Sequence, residues 1–383
     1  MKQHLTQLDA LRGVAALAVF FSHCKLMLRD EPQWAGVVSQ TPLNIVWDGG
    51  GAVMLFFVLS GFVLNLRYAN AADLPSGWWL TFVKKRILRL YPAFIVVILG
   101  AMAARHFIGA TDLFSSHFAH FWSGRLGWNQ ALRTLSLVGP RIDMWSWDAP
   151  IWSLVVEMRV SLIFPLIILW LHIPGGRRDN WWALLPITLI CGGLYEWTTS
   201  EFFMYLPLFF LGATMAKHLP DLSRVYADLP KWPLLILGAV LYESYAMAVN
   251  AGCDSPLPYF LVHQLCGIGA AILILACVCS RRLKILFDSA PLQFMGKTSY
   301  SFYLVHLPIL LSIAPVMAKS DAPIWVIWAC ALILSYTAAG VLHRWVEVPF
   351  MGSGHRWPSS KLRILEAEGR PDSPSTPSPL LRA

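Results

Sequence analysis

The sequence contains few charged residues for its length, and this scarcity excludes several classes of protein. Asp, Glu, Lys and Arg make up 14% of the 383 residues, whereas 56% are hydrophobic and the mean hydropathy is +0.55. Soluble domains contain roughly 45–50% apolar residues. An ordinary soluble enzyme is therefore excluded, and we predict an all-α polytopic membrane protein.

Other patterns are missing too. The seven cysteines show neither the spacing of a disulfide framework nor that of metal ligands. The chain has no glycine-rich phosphate loop and no internal repeat. We therefore expect no bound metal and no permanently bound cofactor.

The formal net charge of +8 raises the question of a nucleic-acid partner. Most basic residues, however, lie in the connections between apolar segments, where Lys and Arg mark the cytoplasmic loops of membrane proteins. We therefore expect a lipid bilayer as a partner, and no nucleic acid.

A membrane-spanning helix needs about 20 mainly apolar residues, and about ten segments of this chain approach that length. They are 8–27, 46–66, 88–108, 151–172, 181–198, 202–217, 232–249, 258–279, 299–318 and 323–345. No small-residue cleavage site follows the first segment, so we expect it to remain as an uncleaved anchor.

The charges in the connections predict the orientation. If the N-terminus is inside, most loop Lys and Arg fall on the inner side, as in residues 84–89 and 281–284. Both termini are then cytoplasmic, and the long connection 109–150 lies outside as a partial lid. Residues 1–350 form the transmembrane domain, and the Ser- and Pro-rich residues 351–383 are expected to be a disordered cytoplasmic tail.

Arg12 and His23 interrupt the first apolar segment with ten residues between them, which places them on nearly the same helix face. Ionisable residues within a membrane normally face the protein interior or a cavity and mark a functional site. The alternative is an Arg12 side chain that extends to the interface and a His23 that is simply hydrogen-bonded in the interior.

Other polar residues lie in later segments, and each has a structural alternative. Ser60 is either a catalytic residue or a small residue at a helix contact. Arg86 and Arg89 share a helix face beside Lys85, and they either bind phosphate or anchor the helix in the membrane. Two further sets are predicted to line helix faces, where the alternatives are an ion pair and ordinary packing: Ser153, Glu157 and Ser161, and Ser299, Tyr303 and His306.

In combination these motifs resemble the acyltransferase-3 family of bacterial integral membrane O-acyltransferases, over most of residues 5–350. The chain departs from many members at Met54 and Val156, where an acidic residue and a histidine are common. The matching motifs are LDALRG with Arg12 and His23, LFFVLSGF, the R-x-x-R of Arg86 and Arg89 followed by Tyr91 and Pro92, WSLVVEMR through Pro165, SYSFYLVH, and WVEVPF at Trp345 to Phe350.

The resemblance implies transfer of an acyl group, for which we expect acetyl, from cytoplasmic acyl-CoA as co-substrate. The acceptor would be a hydroxyl of a sugar, a polysaccharide precursor or another small molecule. The protein would lie in the bacterial inner membrane. A neutral imidazole is a suitable base for a hydroxyl, by direct attack or through an acyl-histidine. The implied roles are His23 as general base, Arg12 as its electrostatic partner, Glu157 organising the interior, Arg86, Arg89 and Lys85 binding CoA, and Ser60, Ser153, Tyr303 and His306 lining the substrate pocket.

The competing function is a transporter or flippase of a glycan or lipid-linked intermediate, in which the same polar residues would line a permeation path. Transporters of this kind often contain two inverted halves with broken helices. The sequence shows no such symmetry. A non-catalytic scaffold is the third alternative, and it leaves His23 unexplained.

The orientation can be tested with reporter fusions. A reporter joined after Arg282 should be cytoplasmic, and one inserted near Gly127 should be external, because the two sites lie in connections of opposite predicted side. The opposite location at either site would show that the predicted helix count or orientation is wrong.

Overall fold

The computed structural model describes residues 5–28, 42–69, 74, 76–109, 113–122, 128–138, 148–171, 180–250, 252 and 256–352. Within these ranges the chain forms helices and no strand. The helices are α1 (Thr6–Leu26), α2 (Gly49–Leu66), α3 (Trp78–Ile108), α4 (Ser116–His120), α5 (Trp128–Ser136), α6 (Ile151–Leu171), α7 (Leu184–Thr198), α8 (Glu201–Lys217), α9 (Leu219–Asp228), α10 (Lys231–Tyr242), α11 (Ser244–Asn250), α12 (Pro256–Cys279), α13 (Arg281–Phe287), α14 (Ala290–Ala318), α15 (Ile324–Leu342) and α16 (Val348–Gly352).

Short 3₁₀ turns lie at Pro42–Val46 and Asn180–Ala183, and a π-helical turn at His343–Glu347 joins α15 to α16. The predicted disordered tail falls outside the described residues except for its first two positions. The loop position Gly127 also lies outside them.

Six helices of the described chain are long and apolar enough to cross a membrane. They are α2, α3, α6, α12, α14 and α15 continued to Met351. The pair α8 and α9, bent by 82°, would make a seventh span. The protein is therefore all-helical and of the multi-pass membrane type, and the count of ten spans stays a prediction. Helix α1 falls outside the six because Asp9, Arg12 and His23 lower its hydropathy.

Helices α1 and α14 run parallel and in close contact. A Cβ atom on Gly13 would lie 2.7 Å from the backbone nitrogen of Gly296, so no larger residue fits at this contact without a shift. Ten residues further along each helix, His23 meets His306. Small residues at this crossing let the two backbones approach and set the histidines opposite each other.

The end of α1 lies about halfway along α14. His306 is 16 residues after Ala290 and 12 before Ala318, or about 24 and 18 Å at the standard helix rise. Helix α1 ends only three residues beyond His23. Other segments fill the space beyond that end, so His23 lies well inside the bundle.

The described parts of the predicted partial lid occupy this space. The backbone N–H of Ser115 donates to the carbonyl of Met27 at 3.3 Å, and the Ser115 hydroxyl donates to the carbonyl of Leu26. Phe118 and Leu137 are fully buried, and Trp122 is almost so. These residues pack against the end of α1 and into the bundle rather than lying on its surface.

Helices α2 and α8 also touch through glycines. A Cβ on Gly212 would lie 2.7 Å from the backbone nitrogen of Phe62 and would collide with the carbonyl oxygen of Val58. On the other helix, a Cβ on Gly61 would collide with the carbonyl of Phe209. The two backbones are therefore in direct contact, which fixes the position of Ser60 within the bundle.

We expect Gly212→Ala to lower the free energy of unfolding by about 1–3 kcal/mol, because the added methyl group overpacks this contact. Gly100→Ala is the matched control, since no atom lies within 4 Å of a Cβ there. Alanine favours a helix over glycine by about 0.8–1 kcal/mol, so the control should be neutral or stabilising. Thermal unfolding in detergent measures both; equal stability of the two variants would contradict the contact.

Candidate active site

The polar residues of the bundle form two centres along α1. One surrounds His23 near the end of the helix, and the other surrounds Arg12 near its start. Arg12 and His23 are eleven positions apart, which corresponds to about 16 Å of helix rise. Arg12 and His23 are therefore not in contact, although they share a helix face as predicted.

The His23 centre is built on a histidine pair. The Nδ1 atom of His23 lies 3.2 Å from Nε2 of His306, and the side chain of His306 is fully buried. Nδ1 of His306 lies 2.7 Å from the carbonyl oxygen of Tyr303. A carbonyl oxygen only accepts, so Nδ1 of His306 must carry a hydrogen and, in the neutral ring, its Nε2 is an acceptor.

This arrangement also fixes the tautomer of His23. Its Nδ1 lies 2.9 Å from the carbonyl oxygen of Val19, a second acceptor. Since both neighbours accept, Nδ1 of His23 carries the hydrogen and donates to them. The lone pair of neutral His23 is then on Nε2, which is the atom that can take a proton from a substrate.

Tyr303 and Ser153 extend this centre. Their hydroxyl groups are 2.7 Å apart. The carbonyl oxygen of Pro150 accepts from the Tyr303 hydroxyl at 3.2 Å and from the Ser153 hydroxyl at 3.0 Å. The ring of Tyr303 lies 5.9 Å from that of His306. The structure therefore brings the predicted pocket residues Ser153, Tyr303 and His306 together beside His23.

Asp148 was not identified from the sequence, yet it belongs to this region. It lies just before α6, is 1% exposed, and neither carboxylate oxygen has a hydrogen-bond partner among the described residues. Burial raises the pKa of this carboxyl well above its ordinary value. Its only sequence signal is an acidic residue at the edge of an apolar segment.

The Arg12 centre contains an ion pair between α3 and α6. The Arg86 guanidinium pairs with the Glu157 carboxylate and donates from Nε to the Ser161 hydroxyl at 3.2 Å. The Ser60 hydroxyl donates to the same Glu157 oxygen at 3.4 Å. Four predicted residues thus meet, and Arg86 is the partner of Glu157 that the sequence could not name.

Arg89 and Lys85 have more open surroundings. Arg89 is half-buried, and the one hydrogen bond found for it among the described residues goes from Nη1 to the Met351 sulfur at 3.1 Å. Arg12 donates to the Asp9 carboxylate at 3.1 Å and is repelled by Arg89. Lys85 is half-buried and Lys84 exposed. The Arg89 guanidinium therefore has donors left for an anion.

Besides Asp148, a second buried carboxylate, Glu347, borders the Arg12 centre. Glu347, in the π-helical turn, is 2% exposed, accepts a hydrogen bond from the Ser301 hydroxyl and lies 3.2 Å from Nδ1 of His343. Glu347 and Arg89 both act electrostatically on Tyr300. Glu347 belongs to the WVEVPF motif, but the motif does not indicate which residues it contacts.

No group of three or more His, Cys, Asp or Glu side chains suited to a metal ion occurs in the described part of the chain.

Comparisons with known proteins agree on one family. A family model described as an acyltransferase domain matches residues 5–344. The acyltransferase MdmB of Streptomyces mycarofaciens is 28% identical over 91% of this chain and 92% of its own length. The chain also resembles the putative peptidoglycan O-acetyltransferase YrhL of Bacillus subtilis, at 25% identity over 92% of this chain, and the O-acetyltransferase OatA of Staphylococcus aureus, at 23% over 92%.

The chain spans only 56% of the length of YrhL and 58% of that of OatA, whereas it matches MdmB along nearly its whole length. No solved structure matches the chain.

Proposed function

Because the chain belongs to the acyltransferase-3 family, we propose that it transfers an acyl group, most simply acetyl, from acyl-CoA to a hydroxyl group, with His23 as the general base. Family membership makes the protein an acyltransferase of groups other than aminoacyl groups. Two relatives, YrhL and OatA, are named as O-acetyltransferases, which supports a hydroxyl acceptor such as a sugar or polysaccharide precursor.

The observation that carries the proposal is the pair of contacts made by Nδ1 of His23, with the Val19 carbonyl oxygen and with Nε2 of His306. From these contacts we infer that Nδ1 carries the hydrogen and that Nε2 of the neutral ring is unprotonated. A hydroxyl is a poor nucleophile near neutral pH, and a base that removes its proton during attack accelerates transfer. After attack on the thioester carbonyl, the proton on Nε2 passes to the departing CoA sulfur, which restores neutral His23. The same lone pair would serve as nucleophile in an acyl-histidine mechanism.

The donor site is assigned to the Arg12 centre. Arg86 is already neutralised by Glu157, so Arg89 is the stronger candidate for a CoA phosphate, with Lys85 beside it. A phosphate between Arg12 and Arg89 would also relieve their mutual repulsion. Arg12 then acts at the donor end, about 16 Å along α1 from His23. The pantetheine arm would extend from one centre to the other.

The membrane arrangement is proposed as predicted. Both termini are cytoplasmic, ten spans lie within residues 1–350, and the membrane is the bacterial inner membrane. The basic residues 84–89 and 281–284 lie within α3 and α13 and not in loops; their position in the early part of α3 and in the short helix α13 still supports this orientation. Transport of a glycan or lipid-linked intermediate is not favoured, because the matched relatives are acyltransferases.

We expect His23→Ala to lower transfer from acetyl-CoA by at least about 10²-fold, since removing a general base typically costs 10²–10⁴-fold. The assay follows thiol release and ester formation by the purified protein in proteoliposomes. His106→Ala is the control, because that histidine is exposed near the end of α3 and belongs to neither centre. A His23→Ala variant that is folded and within a few-fold of the wild type would rule out this role.

Arg89→Gln should raise the KM for acetyl-CoA about 10–100-fold and leave the unfolding temperature unchanged, because a charged hydrogen bond is worth about 1.5–3 kcal/mol. Arg86→Gln should instead lower the unfolding temperature, since it leaves Glu157 without its cation.

Lys84→Gln removes the same charge from an exposed neighbouring position and is the control for Arg89→Gln. If Arg89 serves only to anchor the helix, both variants should have the same KM for acetyl-CoA, and the donor site would lie elsewhere.

A further inference from the structure

Asp148 is a buried carboxylate that the proposed reaction does not use. Both of its oxygens lack a hydrogen-bond partner among the described residues, although the side chain is only 1% exposed. Burial of a carboxylate without partners is strongly unfavourable, whether or not it is ionised. Such a cost indicates that these oxygens have partners when a ligand is bound.

A backbone hydrogen bond connects Asp148 to the start of α6. Its carbonyl accepts from the N–H of Ile151 at 3.1 Å, at the start of α6. The carbonyl of the nearby Pro150 accepts from the hydroxyls of Ser153 and Tyr303. The side chain is therefore carried on a turn that is joined to α14 through Tyr303.

Asp148 belongs to the His23 centre and not to the donor centre. It acts electrostatically on Tyr303, whose ring lies 5.9 Å from that of His306. The rings of His306 and His23 are 5.1 Å apart. Asp148 thus lies beside the residues that receive the acceptor, and the arginines of the donor centre are absent from its surroundings in the described chain.

The chemistry of the site defines the ligand. Burial alone disfavours the ionised form of Asp148, but a compound with neighbouring hydroxyl groups can donate to both of its oxygens and so stabilise the carboxylate, which only accepts hydrogen bonds. The Ser153 and Tyr303 hydroxyls next to it offer further neutral hydrogen bonds. This combination suits a polyhydroxyl compound such as a sugar, with one hydroxyl directed to His23.

We propose that Asp148 binds the acceptor, a polyhydroxyl compound, by accepting hydrogen bonds from hydroxyl groups that are not acylated. The inference rests on the proposed function, because it takes the acceptor to be a hydroxyl compound that reaches His23.

The test separates acceptor binding from donor chemistry. Full-length protein in proteoliposomes is supplied with acetyl-CoA, and methyl glucoside is the acceptor probe. Thiol release without the probe, in which water takes the acetyl group and acetate forms, reports donor binding and the base, and acetyl ester formation on the probe reports the acceptor site. Asp148→Asn keeps the size of the side chain and removes its charge. Asp148→Glu keeps the charge and displaces it.

Asp148→Asn should raise the KM for methyl glucoside about 10–100-fold, while thiol release without the probe, the KM for acetyl-CoA and the unfolding temperature stay within error of the wild type. Asp148→Glu should raise the same KM by less. Glu243→Gln is the control. Glu243 is also a buried acid, one of its oxygens has no partner in the described chain, and it lies at the end of a different helix, α10. This substitution should leave all four quantities unchanged.

Three results would overturn the proposal. The first is an unchanged KM for methyl glucoside in Asp148→Asn, and the second is an equal loss of thiol release and ester formation. The third is a wild-type protein that releases thiol from acetyl-CoA yet forms no ester with the probe. Absence of thiol release from the wild type would instead refute the proposed function, so the two failures are distinguishable.

Discussion

The close contact of α1 with α14 is the constraint on which the rest of the site depends. Gly13 and Gly296 let the two backbones touch, and the helices then run parallel for ten residues to His23 and His306. A side chain at either glycine would separate the helices and with them the histidine pair. The Val19 carbonyl of α1 itself holds the hydrogen of His23 on Nδ1, and the helix packing adds His306 as a second acceptor for the same hydrogen.

The apolar surroundings divide the charged residues into those with partners and those with open donors or acceptors. Arg86, Glu157 and Ser60 satisfy one another across three helices, which is what burial of charge demands. Arg89 and Asp148 differ, because each keeps polar atoms without partners in the described chain. They lie at opposite centres along α1, and their opposite charges suit the two proposed substrates, an anionic donor and a hydroxyl acceptor.

Several residues that the sequence motifs single out lie close together in the structure. The spacing of Arg12 and His23 places them on one face of α1, and the stripe of Tyr303 and His306 is buried as a polar stripe on an apolar helix should be. Asp148 and Glu347 were not recognised, since a single acidic residue at the end of an apolar segment has no periodicity that marks it. The Ser301 hydroxyl that Glu347 binds is 46 positions away in the sequence.

The helical membrane class and the family follow from hydropathy and short motifs, which are local properties of the chain. The pairing of Glu157 with Arg86, the Arg89 donors that have no partner in the described chain, and the contact of His23 with His306 follow instead from helix packing. Each of these depends on which helix lies beside which and at what height. That choice is made by close packing between residues as far apart as 13 and 296, which no local pattern records.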